Sequence, residues 1–206
     1  MSEIEYFYSA HSAFAYLGSA RFMEIAAAAG RKIVHKPVIL DDVVEAVTPV
    51  TFVARSKKHR AYYFGREIER WAEFRNIPLK LGMPSNHRND TTLVNSMVIA
   101  AILQGHNVDQ LAHSLLMAHW ADHTDLADKA NLTRLAGEAG LDGDALLEAA
   151  TSDEIKAVYA ANTAEAIERS VFGSPTYVVD GDMFYGQDRL ELLERALQKP
   201  FAKNWP

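Results

Sequence analysis

The stretch VFGSPTYVVDGDMFYGQDRLELLERAL, Val171 to Leu197, decides the fold. It reads as Gly-Ser-Pro, a short apolar strand from Thr176 to Val179, an Asp180-Gly181 turn, a second strand from Met183 to Tyr185 and a helix opening at Gln187. A two-residue Asp-Gly connection between apolar runs is a strong hairpin signal, because both turn positions favour residues that tolerate positive φ. Pro175 stands directly before a strand, where its missing N–H cannot serve the ladder, and is a candidate cis peptide.

Working outward, the N-terminal end supplies the complementary half. Ile4 to Tyr8 reads as a strand, Ala13 to Ala29 as an apolar helix closed by Gly30, and Lys32 to Val38 as a second strand, so the start is a βαβ unit. Ser12 is placed to cap that helix, its side-chain oxygen accepting from a helix amide that would otherwise be unpaired. Between the two halves the pattern is helical. Leu40 to Thr51 is ambiguous, Arg60 to Phe74 has a helical period, and Pro78 to Asp90 is a loop. Helical stretches follow at Thr91 to Leu103, Val108 to Ala121, Leu126 to Ala139 and Asp142 to Ser170, the last broken near Thr151-Ser152. The spacing of Tyr62, Tyr63, Phe64, Trp71 and Phe74 predicts mostly core positions, with one or two lining an apolar pocket. The expected architecture is an α/β fold in which residues 1–40 and 171–206 form one domain and residues 41–170 an all-helical insertion.

Composition excludes several functions. The chain has 206 residues, 49% of them hydrophobic and 23% charged, which suits a globular protein rather than a disordered one. With 21 basic against 27 acidic side chains the formal charge is -6, which disfavours nonspecific binding to nucleic acid or to acidic membranes. Met1 to Glu5 is acidic and leads into a strand, and no apolar run approaches the roughly 20 residues of a membrane span, so a cytoplasmic location is expected. The chain contains no cysteine, which removes disulfides and any protein-borne thiol chemistry. His119 and His123, with His113 upstream, share helical i,i+4 spacing, yet no motif carboxylate accompanies them and no metal site is expected. His11 could act as a base beside Ser12, but adjacent residues near a helix start generally point apart.

Three segments carry a family resemblance. Tyr6-Phe7-Tyr8 through Ser12-Ala13-Phe14-Ala15-Tyr16-Leu17, Ala118-His119-Trp120 with Asp125-Leu126, and Val171 to Thr176 with Phe184 to Leu190 resemble the 2-hydroxychromene-2-carboxylate isomerases and the kappa-class glutathione transferases. Arg66-Glu67 and Arg70-Trp71 add a weaker match. These families have a DsbA-like thioredoxin fold, in which βαβ and ββα segments share a sheet, and they use glutathione. The resemblance therefore implies a thioredoxin-like domain carrying a helical insertion, a small-molecule aromatic substrate and a homodimer. It implies that Ser12 stabilises the glutathione thiolate. Lowering a thiol pKa by two units requires about 2.7 kcal/mol. A hydrogen bond to a charged group, about 1.5–3 kcal/mol, and a helix N-terminus, about 0.3–1, could provide it. Ser174 and Pro175 would pair with the cysteinyl backbone of glutathione, while Gly186, Gln187, Asp188 and Arg189 would hold its γ-glutamyl end. Phe14, Lys57, Lys58 and Arg60 are the expected substrate contacts.

The chain departs from the pattern at Ala13, where Pro is usual, and at Glu45, aligned with a Lys of the isomerases. The implied reaction is isomerisation of 2-hydroxychromene-2-carboxylate-type aromatic degradation intermediates by reversible conjugate addition of the thiolate. A kappa-like transferase, and a noncatalytic thiol- or peptide-binding module, are the alternatives.

Overall fold

A computed structural model describes residues 3–48 and 54–202. Strand β1 (Glu3–Tyr8), helix α1 (Ala13–Ala28) and strand β2 (Lys32–Pro37) form the expected parallel crossover, and strands β3 (Thr176–Val179) and β4 (Asp182–Tyr185) form the hairpin. All four join one sheet in the order β2-β1-β3-β4, with β3 antiparallel to β1 through Glu5↔Val178 and Phe7↔Thr176. Asp180 (φ 51) and Gly181 (φ 86) both lie in the left-handed region at positive φ, the geometry of a type I′ turn that matches strand twist.

Alternation along β1 divides the sheet's faces. Ile4, Tyr6 and Tyr8 pack with Leu17, Phe22, Tyr177, Leu190 and Leu193 under α1 and the C-terminal helix, while Phe7 and Val178 face Val38, Val43, Ala166 and Val171. On the second face Glu5, Lys36, Glu165 and Arg169 form a linked set of ion pairs at 2.6–2.8 Å, tying the helix that carries Glu165 to the sheet.

The intervening chain forms α2 (Leu40–Val47), α3 (Lys57–Arg60), a π-helical segment Ala61–Arg66, α4 (Glu67–Arg75), α5 (Thr92–Leu103), α6 (Asp109–Ala121), α7 (Lys129–Glu138), α8 (Gly143–Ala149) and α9 (Asp153–Glu168). The ambiguous stretch after Ile39 thus forms a helix as far as Val47, and the rest of it, from residue 49, lies outside the described residues. The break at Thr151-Ser152 falls where the sequence places it, with Ser152 capping α9 through Ile155 N–H.

Helix α6 binds the helical part to the sheet. Its Ala112, Leu116 and Trp120 join the α1 core, and its Leu111, Leu115 and Ala118 join the core of α5, α7, α8 and α9.

Two expectations are corrected. The aromatic run is not mostly core: Tyr62 is 62% exposed, Tyr63 49% and Phe74 77%. A π turn accommodates more residues than an α turn, so the 3.6-residue spacing that assigned these rings to an inner face does not hold across residues 61–66. The last helix also starts later than Gln187. Gln187–Arg189 is a 3-10 turn, and α10 runs from Leu190 to Gln198. Gly18 of α1 explains how closely these elements meet, since a Cβ there would come within 2.7 Å of Gln187 Cβ and 3.0 Å of the Tyr177 hydroxyl. Among the described residues no helix is long and apolar enough to cross a membrane.

Candidate active site

The N-terminal and C-terminal parts of the chain meet at the start of α1. Ser12 is the N-cap of α1, and its Oγ accepts from Ala15 N–H at 3.3 Å and donates to the Ser174 carbonyl at 3.2 Å. The Ser174–Pro175 peptide is cis. The Ser174 hydroxyl accepts from Ser9 N–H at 3.2 Å, and the Ser174 N–H has no hydrogen-bond partner among the described residues. A side-chain hydroxyl, a helix N-terminus and an unpaired backbone donor therefore converge in a 162-residue sequence separation closed by the sheet.

Gly186, with φ 97, receives the chain after β4, and its N–H donates to Pro175 O at 2.9 Å. The Asp188 carboxylate folds back over Gly186, where an added Cβ would lie 2.4 Å from Asp188 Oδ1, and it pairs with Arg189. Gln187 points the other way. It is 1% exposed, and its side-chain and backbone oxygens accept from Arg75 at 2.8 and 3.0 Å, so its side chain braces the turn from within.

Phe14 forms the next part of the wall, its ring 6.3 Å from Tyr63 and 6.2 Å from Phe64. Tyr63 also borders an open hollow of about 440 Å³ lined with Ser56, Lys58, His59 and Tyr62. Lys58 is thereby connected to the Ser12 end through aromatic rings. Lys57 is exposed on α3, and Arg60 donates to the Arg55 carbonyl at 2.5 Å, fastening the segment that precedes α3. Glu45 is exposed on α2.

The helical part also contributes groups that the sequence reading missed. Asn95 is fully buried in α5; its oxygen accepts from Ala10 N–H at 3.0 Å, and its amide donates to Ser9 Oγ at 3.2 Å and Tyr159 OH at 3.0 Å. The only sequence signal was an amide amid the apolar run TLVNSMVIAAIL, which a buried polar group must justify by its partners. His87, in the loop between α4 and α5, carried no spacing signal at all. Its Nδ1 lies 3.0 Å from His119 Nε2, and its ring is 5.1 Å from that of His11. Trp120 Nε1–H fixes the His11 carbonyl at 2.9 Å. His123 does not share a helix face with His119: α6 ends at Ala121, His123 has φ 60, and its Nε2 meets Lys80 O.

His11, His87 and His119 are held neutral. Burial pulls His11 down to about 4, with His119 adding to it, and burial pulls His87 down to about 3, helped by His11, His119 and Arg88. His119 is lowered by burial as well. The unfolded chain then binds more protons than the folded one below the ordinary histidine value of 6.5, so this contribution to stability is complete above 6.5 and declines as pH falls toward 4. Thermal unfolding followed from neutral pH into this window should show Tm falling, and His87→Gln should flatten the slope. An unchanged slope in that variant would contradict the neutral cluster.

The model of the DsbA-like thioredoxin domain family matches residues 3–198, and the chain belongs to that family. A 2-hydroxychromene-2-carboxylate isomerase of Pseudomonas sp. (strain C18) is 31% identical over 198 residues, which cover 94% of this chain and 89% of the relative. A solved 2-hydroxychromene-2-carboxylate isomerase superposes with a TM-score of 0.79 at 25% identity, over 95% of this chain and 94% of that one. Within the wider group, the chain is a member of the 2-hydroxychromene-2-carboxylate isomerase family. Glutathione S-transferase kappa 1 of Rattus norvegicus is 26% identical over 147 residues, 66% of this chain and 65% of the relative.

Proposed function

We propose that this protein is a glutathione-dependent isomerase acting on 2-hydroxychromene-2-carboxylate-type intermediates, with Ser12 stabilising the thiolate. The observation that carries the reading is the hydroxyl of Ser12, at the first turn of α1 and 3.2 Å from the Ser174 carbonyl, in a chain with no cysteine of its own. A thiol brought in by the cofactor would occupy the place where a thioredoxin-like protein carries its own sulfur. Ser12 Oγ–H turns from Ser174 O to the sulfur, Ser174 offers its N–H and C=O to the cysteinyl backbone, and the turn Gly186 to Arg189 receives the γ-glutamyl end, with Asp188 facing its ammonium. Gln187 takes part through its backbone. Phe14 would stack on the aromatic substrate, and Lys58, with Lys57 and Arg60 nearby, would meet its carboxylate.

Glutathione held there would supply a thiolate for reversible conjugate addition to the enone carbon of the ring-opened substrate. As the C–S bond formed, the C=C would become a single bond and the electron pair would move onto the carbonyl oxygen. After rotation, the return of that pair would expel the thiolate and give the other isomer. The test is turnover of hydroxychromene carboxylate with glutathione at substoichiometric concentration. Many turnovers per glutathione support the isomerase. Stoichiometric consumption of glutathione favours a kappa-like transferase, and binding without thiolate absorbance a noncatalytic module.

A further inference from the structure

His11 lies beside Ser12 and is unused by the reaction just described. Two hydrogen-bond chains fix the protons around it. On one side, Tyr159 OH donates to Val38 O at 3.2 Å and so accepts from the Asn95 amide; that amide also donates to Ser9 Oγ, since Asn95 Oδ1 is taken by Ala10 N–H. Ser9 Oγ has His11 Nδ1, at 2.9 Å, as its one other partner among the described residues, and its O–H is satisfied by donating there. With Nδ1 accepting, a neutral His11 carries its proton on Nε2. On the other side, Thr124 O can only accept, so His119 Nδ1–H donates to it at 3.2 Å, and His119 Nε2 accepts from His87 Nδ1–H at 3.0 Å. His87 therefore has an unprotonated Nε2, and its ring stands 5.1 Å from that of His11. Ser9 is fully buried, whereas His11 is only half-buried, and its Nε2 has no hydrogen-bond partner among the described residues.

We infer that His11 is a catalytic residue that stays neutral and donates its Nε2–H to the substrate carbonyl oxygen as conjugate addition places charge there. The inference rests on the isomerase reading above and adds the reason the reaction reverses. A neutral imidazole N–H stabilises an enolate by a hydrogen bond, but it is a far weaker acid than an imidazolium and does not hand its proton over. An enolate that is not protonated keeps its electron pair and can expel the thiolate. An enolate protonated on carbon would be trapped as the conjugate, the product of a transferase. His11 is kept neutral by burial and by His119 on α6, and the ring of His87 on the 78–90 loop stands 5.1 Å from it.

The test has two arms. Nitrogen NMR of histidine-labelled protein at neutral pH should report a neutral Nε2–H tautomer for His11, shifting to a tautomer mixture in Ser9→Ala. An Nδ1–H tautomer or an imidazolium in the wild type overturns the inference. In the second arm, turnover of cis-benzylideneacetone with glutathione is compared for His11→Phe and for His11→Gln, which keeps an N–H donor. Loss of one such donor should lower kcat about 100- to 1,000-fold with KM for glutathione unchanged, and His11→Gln should recover part of the loss. Unaltered kcat in His11→Phe, with thiolate absorbance intact, overturns this inference alone. Absence of thiolate absorbance in the wild type overturns the isomerase reading itself.

Discussion

Replacing Ser12 by Ala is expected to raise the thiol pKa of bound glutathione by about 1–2 units, the worth of a charge-assisted hydrogen bond of about 1.5–3 kcal/mol. For a thiol whose pKa had been lowered two units from about 8.5, the thiolate fraction at pH 7, and with it kcat/KM, should fall about 3- to 25-fold. Because Ser12 Oγ also accepts from Ala15 N–H, the same change should cost about 1 kcal/mol of stability through the lost cap. Ser12→Gly separates the two effects. A glycine cap costs only a few tenths of a kcal/mol, yet it too lacks the hydroxyl, so activity should drop as far as in Ser12→Ala while stability stays near wild type. Thiolate absorbance and urea midpoints measure the pair. Unchanged thiol acidity in both variants would leave Ser12 as a helix cap and nothing more.

Asn95→Leu is expected to have the largest effect on stability. Leucine has a similar volume, but it leaves the Ala10 N–H, the Ser9 hydroxyl and the Tyr159 hydroxyl facing an apolar side chain in a fully buried place. Each buried group left without its partner costs about 1–3 kcal/mol. Tyr159 OH keeps its bond to Val38 O and the Ser9 hydroxyl keeps His11, so the sum should be about 2–4 kcal/mol. Chemical denaturation reads this directly, and a loss below about 1 kcal/mol would mean that the network relaxes onto water. The backbone of Ala10 is held by Asn95 two residues before Ser12. The variant should therefore also loosen the turn closed by Ser12 N–H and Ser9 O at 3.0 Å and lower activity beyond what stability alone explains.

Local rules were enough for the elements that form the sheet. Short apolar runs, the Asp180-Gly181 pair and the capping position of Ser12 specify β1, β3, β4 and the start of α1 without reference to anything distant, because a strand-length apolar run, positive φ and an unpaired helix amide are all properties of a few neighbouring residues. The residues of the Ser12 and Pro175 region were legible for the same reason, together with their resemblance to a family. The direction of Gln187 was not. Whether its side chain faces a ligand or Arg75 depends on the closeness of α1 at Gly18, which no local pattern encodes.

The aromatic run at Tyr62 and Tyr63 shows a second kind of failure: a π turn changes the helical period, and the period was the only information in use. Absence of cysteine, and hence the need for a thiol from outside in any thioredoxin-type chemistry, was determined by the sequence alone. Only the tertiary structure brought Asn95, His87 and His119 to the loop before Ser12. Their hydrogen bonds join elements 32 to 86 residues apart, and a proton on one particular nitrogen of His11 follows from where those chains of donors and acceptors end.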